Sequence, residues 1–209
     1  MEIPQYKKTK TRTDKIHSDL YFRRLELCSS KYTYYTKQLE NNFDLIHNYS
    51  QKHSQVILIR CDIHYPTDYE APEDNYQMSR FTDEIKALYK AEDPVYFYCR
   101  EKKNSKNQHY HCYFIFRADR HDRVGYYTRD MNRIWCDILN IQRRDGLVHY
   151  DFKEFEGIKY PNGIKIRRSS DDALDLFKRA FKWCSYLAKV ETKDGKRKFA
   201  CSPIPRSRA

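Results

Sequence analysis

Apolar and aromatic residues form five short stretches whose pattern predicts β-strands. These stretches lie at residues 56–64, 95–101, 109–116, 147–150 and 164–168. The first begins with an unbroken apolar run, which is typical of a central strand covered on both faces. The second and third are rich in aromatic and β-branched residues and are separated by a short polar segment, which predicts a β-hairpin. The last stretch is expected to be an edge strand.

Helices are predicted where apolar residues recur every three to four positions. This spacing is found at residues 18–50, 78–91, 123–140 and 171–190, the first as one long helix or two short ones. The order of elements is therefore α, β, α, β-β, α, β, β, α. Because the strands are hairpin-like or near neighbours, this order predicts an α+β domain with a central, mostly antiparallel sheet and packed helices.

Polar and basic segments divide the chain into four parts. They are a basic flexible leader (1–15), an N-terminal helical segment (16–52), a main domain (53–202) and a tail (203–209). The chain beyond residue 190 is basic and is predicted to be loose.

The composition narrows the classes of function. A net charge of +11 favours a polyanionic partner, and 19 Tyr and 11 Phe beside many cations suit single-stranded nucleic acid, whose bases stack on rings. The five glycines form no phosphate-binding or dinucleotide-binding loop, and none of the seven cysteines forms a C-x-x-C pair. No apolar run is long enough to cross a membrane, so we expect a cytoplasmic protein with no membrane partner.

Two histidines on one predicted strand are candidate metal ligands. His109 and His111 point to the same face, and the hairpin brings Glu101 alongside them. Two imidazoles and one carboxylate can hold a divalent cation and leave coordination positions open. Asp62 and His64 share one face of the strand at 56–64 and could support the ligands, although an ordinary sheet surface is the alternative. A structural role for the histidines also remains open.

A tyrosine on the last predicted helix is a candidate nucleophile. Arg179, Lys182, Lys189 and Lys193 fall within a quarter-turn of Tyr186, opposite the apolar stripe. Ammonium groups would lower the pKa of the phenol and hold a phosphate for attack. The alternative is a basic helix face that is solvated or contacts a phosphate backbone, and the Tyr-x-x-Lys spacing recurs elsewhere in the chain.

The motifs Glu101…His109-Tyr110-His111 and Tyr186-Leu187-Ala188-Lys189 together resemble the HUH superfamily of single-strand endonucleases, which includes rolling-circle replication initiators and relaxases. The chain is similar in particular to the inovirus gene-II-type replication proteins and the prophage YagK/YfjJ C-terminal family. That narrower resemblance covers about residues 56–202 and rests also on Arg100 and on the segments 61–64 and 185–190.

This resemblance implies a fold, a cofactor and a set of roles. The fold would be a ferredoxin-like or RRM-like HUH nuclease core, with the histidines on a central strand. His109, His111 and Glu101 would bind Mg²⁺ or Mn²⁺. Tyr186 would nick single-stranded DNA at an origin hairpin or other specific site, with Lys189 positioning the phosphate or phenolate. The remaining basic residues would contact the DNA backbone: Arg100, Arg179, Lys182 and Lys193.

The sequence is compatible with three functions. The first is a metal-dependent nicking and joining enzyme that forms a covalent phosphotyrosine intermediate and serves rolling-circle replication of a phage, prophage or satellite element. Such an enzyme would need a host helicase and replication machinery, because no helicase segment follows the motifs. The second is a basic DNA- or RNA-binding regulator without catalysis. The third is a hydrolase in which the metal activates water.

Overall fold

A computed structural model describes residues 16–102, 105–121, 123–150, 162–191, 193 and 198–206. The leader and the last three residues of the tail lie outside the described residues. In chain order the elements are β1 (Ile16–His17), β2 (Tyr21–Phe22), β3 (Leu25–Glu26), β4 (Tyr34–Tyr35), α1 (Thr36–Lys52), β5 (Gln55–His64), α2 (Tyr76–Leu88), β6 (Val95–Glu101), β7 (His109–Arg117), α3 (Val124–Thr128), α4 (Met131–Leu139), β8 (Val148–His149), β9 (Ile164–Arg167), α5 (Ala173–Ser185) and β10 (Phe199–Cys201).

Six strands form one antiparallel sheet in the order β10-β6-β7-β5-β8, and β9 also pairs with β5. The predicted α+β class and the antiparallel sheet are confirmed. The predicted hairpin is the β6–β7 pair, and the histidine-bearing strand β7 lies at the centre of the sheet. Its neighbour β5 is also central, as the unbroken apolar run indicated.

Helices cover both faces of the sheet. One face packs against α1 and α5, where Phe43, Phe177 and Phe181 meet the sheet residues Phe97 and Tyr113. The opposite face packs against α2, α3 and α4. Fully burying a phenylalanine side chain contributes roughly 1.5–3 kcal/mol, so the aromatic content of the chain supplies much of this core. We call the first surface the α1/α5 face and the second the α2/α4 face.

The α1/α5 face changes from apolar to polar along the strands. Val56 and Leu58 of β5 are buried beneath the helices, and side chains on that face alternate with those of the other. Continuing by two residues at a time, the same face carries Arg60, Asp62 and His64. The register places Asp62 opposite His111 and His64 opposite His109, while Glu101 of β6 is also opposite His109. Polar groups therefore gather where α5 ends.

The predicted helix over residues 18–50 is wrong for its first half. Four short strands precede α1, which begins only at Thr36. The chain reverses between β2 and β3 through Arg23 and Arg24, whose φ angles of 51° and 64° lie in the left-handed region. Two successive left-handed residues make a tight hairpin turn. Arginine gives little sequence signal for that conformation, since Gly and Asn are the usual residues there.

Three further element predictions differ from the structure. The last predicted helix, over residues 171–190, ends at Ser185. The helix expected over residues 123–140 is interrupted at Arg129 and Asp130, which separate α3 from α4. The chain beyond residue 190, expected to be loose, contains the edge strand β10, which pairs with β6. Within the described part of the chain, no helix combines the length and the apolar character needed to cross a membrane. All seven cysteines are free thiols, and six of them are buried.

Candidate metal and nucleophile site

Glu101, His109 and His111 converge at the polar end of the α1/α5 face, as the hairpin predicted. One potential ligand atom from each of the three lies within 4.8 Å of the others. Oε2 of Glu101 is 3.5 Å from Nε2 of His111 and 3.8 Å from Nε2 of His109. Glu101 and His111 are buried and His109 is half-buried, so the three donors surround one partly enclosed point. Two nitrogens and one oxygen form a donor set that fits a divalent cation.

Glu101 is held in its ionised form. Burial acts to raise its pKa, but the hydrogen bond with His111 and the charge of Lys193 outweigh it and hold the pKa well below its usual range. Lys193 donates to Oε1 of Glu101, and Nζ of Lys189 lies 3.4 Å from the same oxygen. Both lysines therefore contact Oε1 of Glu101, while Oε2 faces the histidines.

Asp62 orients the ring of His111 by contacting Nδ1, the ring nitrogen that faces away from Glu101. Its Oδ1 lies 2.6 Å from Nδ1 of His111. Burial acts to raise the pKa of Asp62, yet the charge and hydrogen bond of His111 hold it below its usual range. An ionised carboxylate only accepts, so Nδ1 donates and Nε2 is directed at the metal position. His64 stacks on His109 with ring centroids 5.2 Å apart. Asp62 and His64 therefore support the two histidines, as their shared strand face suggested.

Replacing Asp62 with asparagine is expected to weaken Mn²⁺ binding by about 10- to 100-fold, because the carboxylate that fixes the ring of His111 is lost. Isothermal titration calorimetry measures this affinity. Asp93→Asn is the matched control, since Asp93 is an exposed carboxylate paired with Lys52 at 2.5 Å. Equal affinities in the Asp62 variant and the wild-type protein would show that His111 needs no such support.

His109 is kept neutral in the metal-free protein. Its pKa is lowered to about 4, because burial disfavours the charged ring and the neighbouring His111 and His64 add repulsion. The neutral imidazole is the form that binds metals.

The pKa of His109 predicts a pH dependence of stability. Between pH 6.5 and about 4 the unfolded chain binds a proton at His109 that the folded protein does not. The free energy of unfolding of the metal-free protein therefore falls as the pH drops through this window, by roughly 2–3 kcal/mol at pH 4. Above pH 6.5 His109 is neutral in both the folded and the unfolded state and does not change the free energy of unfolding with pH. Urea unfolding in EDTA at several pH values measures this dependence. The free energy of unfolding is expected to fall less steeply with decreasing pH in His109→Gln than in the wild-type protein. Equal slopes in the two proteins would contradict the lowered pKa of His109.

Tyr186 lies beside the metal ligands. Helix α5 ends at Ser185, and Tyr186–Ala188 form a 3₁₀ turn that returns the chain towards the sheet. The ring of Tyr186 meets the ring of His111 edge-on, with centroids 5.1 Å apart. Lys189 donates to the phenolic oxygen, and its Nζ lies 3.8 Å from the ring centroid. Tyr186, Lys189 and the two histidines therefore lie close together in the structure.

The expected lowering of the Tyr186 pKa is wrong for the metal-free protein. Burial and the negative charge of Glu101 raise the pKa of the phenol more than Arg60 lowers it. Burial likewise lowers the pKa of Lys189, although Glu101 opposes that effect. The phenol is consequently protonated at neutral pH and needs a base or an added positive charge to become a nucleophile.

The four residues predicted to contact a DNA backbone do not share one surface. Lys193 is buried against Glu101, and Lys182 pairs with Glu26 at 2.8 Å. Arg100 lies on the α2/α4 face, is buried, and donates to the carbonyl of Glu73. Arg179 is half-buried on α5, in the position that the helical spacing indicated. The four cations predicted beside Tyr186 do not form one stripe, because α5 ends before Lys189 and Lys193. Arg100 lies on the opposite face of the sheet from Glu101, because side chains alternate along β6.

Two residues that spacing did not single out also contact Tyr186. The guanidinium of Arg60 lies 4.8 Å from the ring centroid of Tyr186, and the ring of Tyr32 lies 5.9 Å from it. Arg60 could have been found from its position two residues before Asp62, on the same strand face. Tyr32 reaches the site through the N-terminal segment, which the helical spacing had wrongly assigned to a helix.

No curated protein and no solved structure matches the chain. The sequence profile of the YagK/YfjJ C-terminal domain matches residues 17–202. The matched range includes α1 and the short strands before it, so the resemblance extends further towards the N-terminus than the motifs indicated. It also contains the whole site, from Arg60 to Lys193. The chain therefore belongs to the YagK/YfjJ C-terminal domain family.

Proposed function

We propose that this protein is a metal-dependent nicking and joining enzyme of the HUH type that acts on single-stranded DNA through a phosphotyrosine intermediate. It would serve rolling-circle-type replication of a phage, prophage or satellite element. The observation that supports the proposal most is the contact between the Tyr186 and His111 rings, with centroids 5.1 Å apart. A potential nucleophile and a potential metal site therefore lie side by side on the same face of the sheet.

The proposed reaction begins with attack by the phenolic oxygen of Tyr186 on the scissile phosphorus. A bond forms between that oxygen and phosphorus, and the bond from phosphorus to the leaving sugar oxygen breaks. The leaving oxygen takes up a proton, so one strand end is a free hydroxyl and the other is a phosphodiester on Tyr186. Joining is the reverse, in which a DNA hydroxyl attacks the phosphotyrosine and releases the phenol.

Lys189 lies where it can accept the proton of Tyr186 and offset the negative charge of the phosphate. Its Nζ contacts the oxygen of Tyr186, and burial lowers its pKa, so its neutral amine is more accessible than that of an ordinary lysine. In that form it can accept the proton of Tyr186, and once charged it can offset negative charge at the phosphate. A divalent cation at the histidines, when bound, would polarise a phosphate oxygen.

The donor set distinguishes between the two metals that the resemblance implies. Mg²⁺ prefers an octahedral shell of oxygen ligands, whereas imidazole nitrogen is a better ligand for transition metals. His109 and His111 contribute two nitrogens, and Glu101 contributes one oxygen. We therefore expect tighter binding of Mn²⁺ than of Mg²⁺.

The proposal is tested with single-stranded oligonucleotides, including hairpins, that carry a label at either end. The protein is incubated with a sequence-randomised pool and Mn²⁺, with an EDTA control, and is analysed on a denaturing gel. A labelled species of protein mass supports nicking through the protein. Cleavage without such a species favours the hydrolase, and salt-sensitive binding without cleavage favours the regulator.

A further inference from the structure

We propose that Arg60 is a positioning residue for Tyr186, through which the nucleophile is aligned with the metal ligands. This inference rests on the proposed function. Arg60 lies on β5 and points to the α1/α5 face, two residues before Asp62. It is buried beneath the end of α5, with 7% of its surface exposed.

The guanidinium of Arg60 lies between the nucleophile and the carboxylate behind His111. Its Cζ is 4.8 Å from the ring centroid of Tyr186 and 5.7 Å from that of Trp183. Its NH2 nitrogen is 3.9 Å from Oδ1 of Asp62, the oxygen that bonds to His111. One planar cation thus contacts the ring that carries the phenol and the group that orients a metal ligand.

These contacts close a loop of polar and aromatic interactions around the site. In order, the loop runs through Tyr186, Lys189, Glu101, His111, Asp62 and Arg60, and returns to Tyr186. Lys189 fixes the phenolic oxygen, whereas Arg60 fixes the plane of the ring. The orientation of the nucleophile is therefore tied to the orientation of His111, and a displacement of about 1 Å in such a site can cost about 100-fold in rate.

Arginine suits this role better than lysine. Its guanidinium is planar and permanently charged, so it stacks on an aromatic ring and pairs with a carboxylate at the same time. The ammonium of lysine is a point charge with no planar face to pack against a ring. A lysine at position 60 would preserve the charge near Asp62 but not the planar cation over the ring of Tyr186.

The test compares Arg60→Met and Arg60→Lys with the wild-type protein and with Arg23→Met. Arg23 is a matched control, because it is also packed over aromatic rings (4.7 Å from that of Phe43) and paired with a carboxylate, Asp44 at 3.7 Å. Three quantities are measured: the single-turnover rate of adduct formation, the affinity for single-stranded DNA, and the affinity for Mn²⁺.

Arg60→Met is expected to slow adduct formation by about 10- to 100-fold while both affinities stay within about threefold of wild type. Arg60→Lys is expected to recover only part of the rate, and Arg23→Met to react like wild type. Adduct rates in both Arg60 variants within threefold of wild type would overturn the inference. So would a rate loss matched by Arg23→Met, which would indicate a general effect of stability. If the wild-type protein forms no adduct, the proposed function falls together with the inference.

Discussion

Replacement of Tyr186 by phenylalanine is expected to abolish covalent attachment of DNA to the protein and to lower nicking by more than about 10³-fold. Phenylalanine keeps the ring that meets His111 and Tyr32 and removes only the phenolic oxygen. The loss would therefore report on chemistry rather than on packing. Affinity for single-stranded DNA is expected to stay within a few-fold of wild type.

The matched control for this variant is Tyr150→Phe. Tyr150 is also followed by a lysine three residues later, but it lies against the α2/α4 face rather than beside the histidines. Its loss is expected to leave nicking unchanged. Adduct formation that is equal in Tyr186→Phe and the wild-type protein would contradict the assignment of the nucleophile.

Replacement of His109 by alanine is expected to weaken Mn²⁺ binding by about 100-fold or more and to remove metal-dependent nicking. His109 supplies one of the three converging donors, and two remaining ligands hold a divalent cation poorly. Binding of single-stranded DNA is expected to persist, because it depends on the net positive charge of the protein rather than on one imidazole. Calorimetry with Mn²⁺ and fluorescence anisotropy with a labelled oligonucleotide separate the two effects.

His149→Ala is the matched control for His109→Ala. His149 is an exposed imidazole opposite Asp62 in the register and edge-on to His64, with centroids 5.2 Å apart, but it is not one of the converging donors. Mn²⁺ affinity is expected to be unchanged in this variant. Parallel loss of metal and DNA binding in His109→Ala would instead assign a folding role to His109.

The metal site could be predicted because it depends on strand geometry. Side chains alternate along a strand, so His109 and His111 had to share a face, as did Asp62 and His64. A hairpin joins neighbouring strands with a short turn, which placed Glu101 beside His109. None of these steps needed knowledge of contacts between distant parts of the chain.

The surroundings of Tyr186 could not be predicted, because they depend on contacts distant in sequence. Helix α5 ends at Ser185 without a glycine or proline to mark its end. The chain then pairs with the N-terminal segment, since the amide of Val190 donates to the carbonyl of Thr33. That path brings Lys193 to Glu101, a residue 92 positions away. Helical spacing extended past Ser185 therefore placed Lys193 on the wrong surface.

The charge state of Tyr186 was mispredicted for a related reason. The spacing of lysines along the sequence indicated positive charge near the phenol, but it contained no information on burial. In the structure the phenol is half-buried and the carboxylate of Glu101 lies nearby, so its pKa rises. Cation binding at the three ligands would oppose the charge of Glu101 and favour ionisation of the phenol.

The most direct measurement is mass spectrometry of the wild-type protein after reaction with single-stranded DNA and Mn²⁺. Nuclease trimming of the bound strand, proteolysis and peptide sequencing then locate the attached nucleotide. The predicted result is a nucleotide linked through phosphate to Tyr186, absent in EDTA and in His109→Ala. Attachment at another residue such as Tyr32, or cleaved DNA with no modified peptide, would contradict the assignment of Tyr186 as the nucleophile.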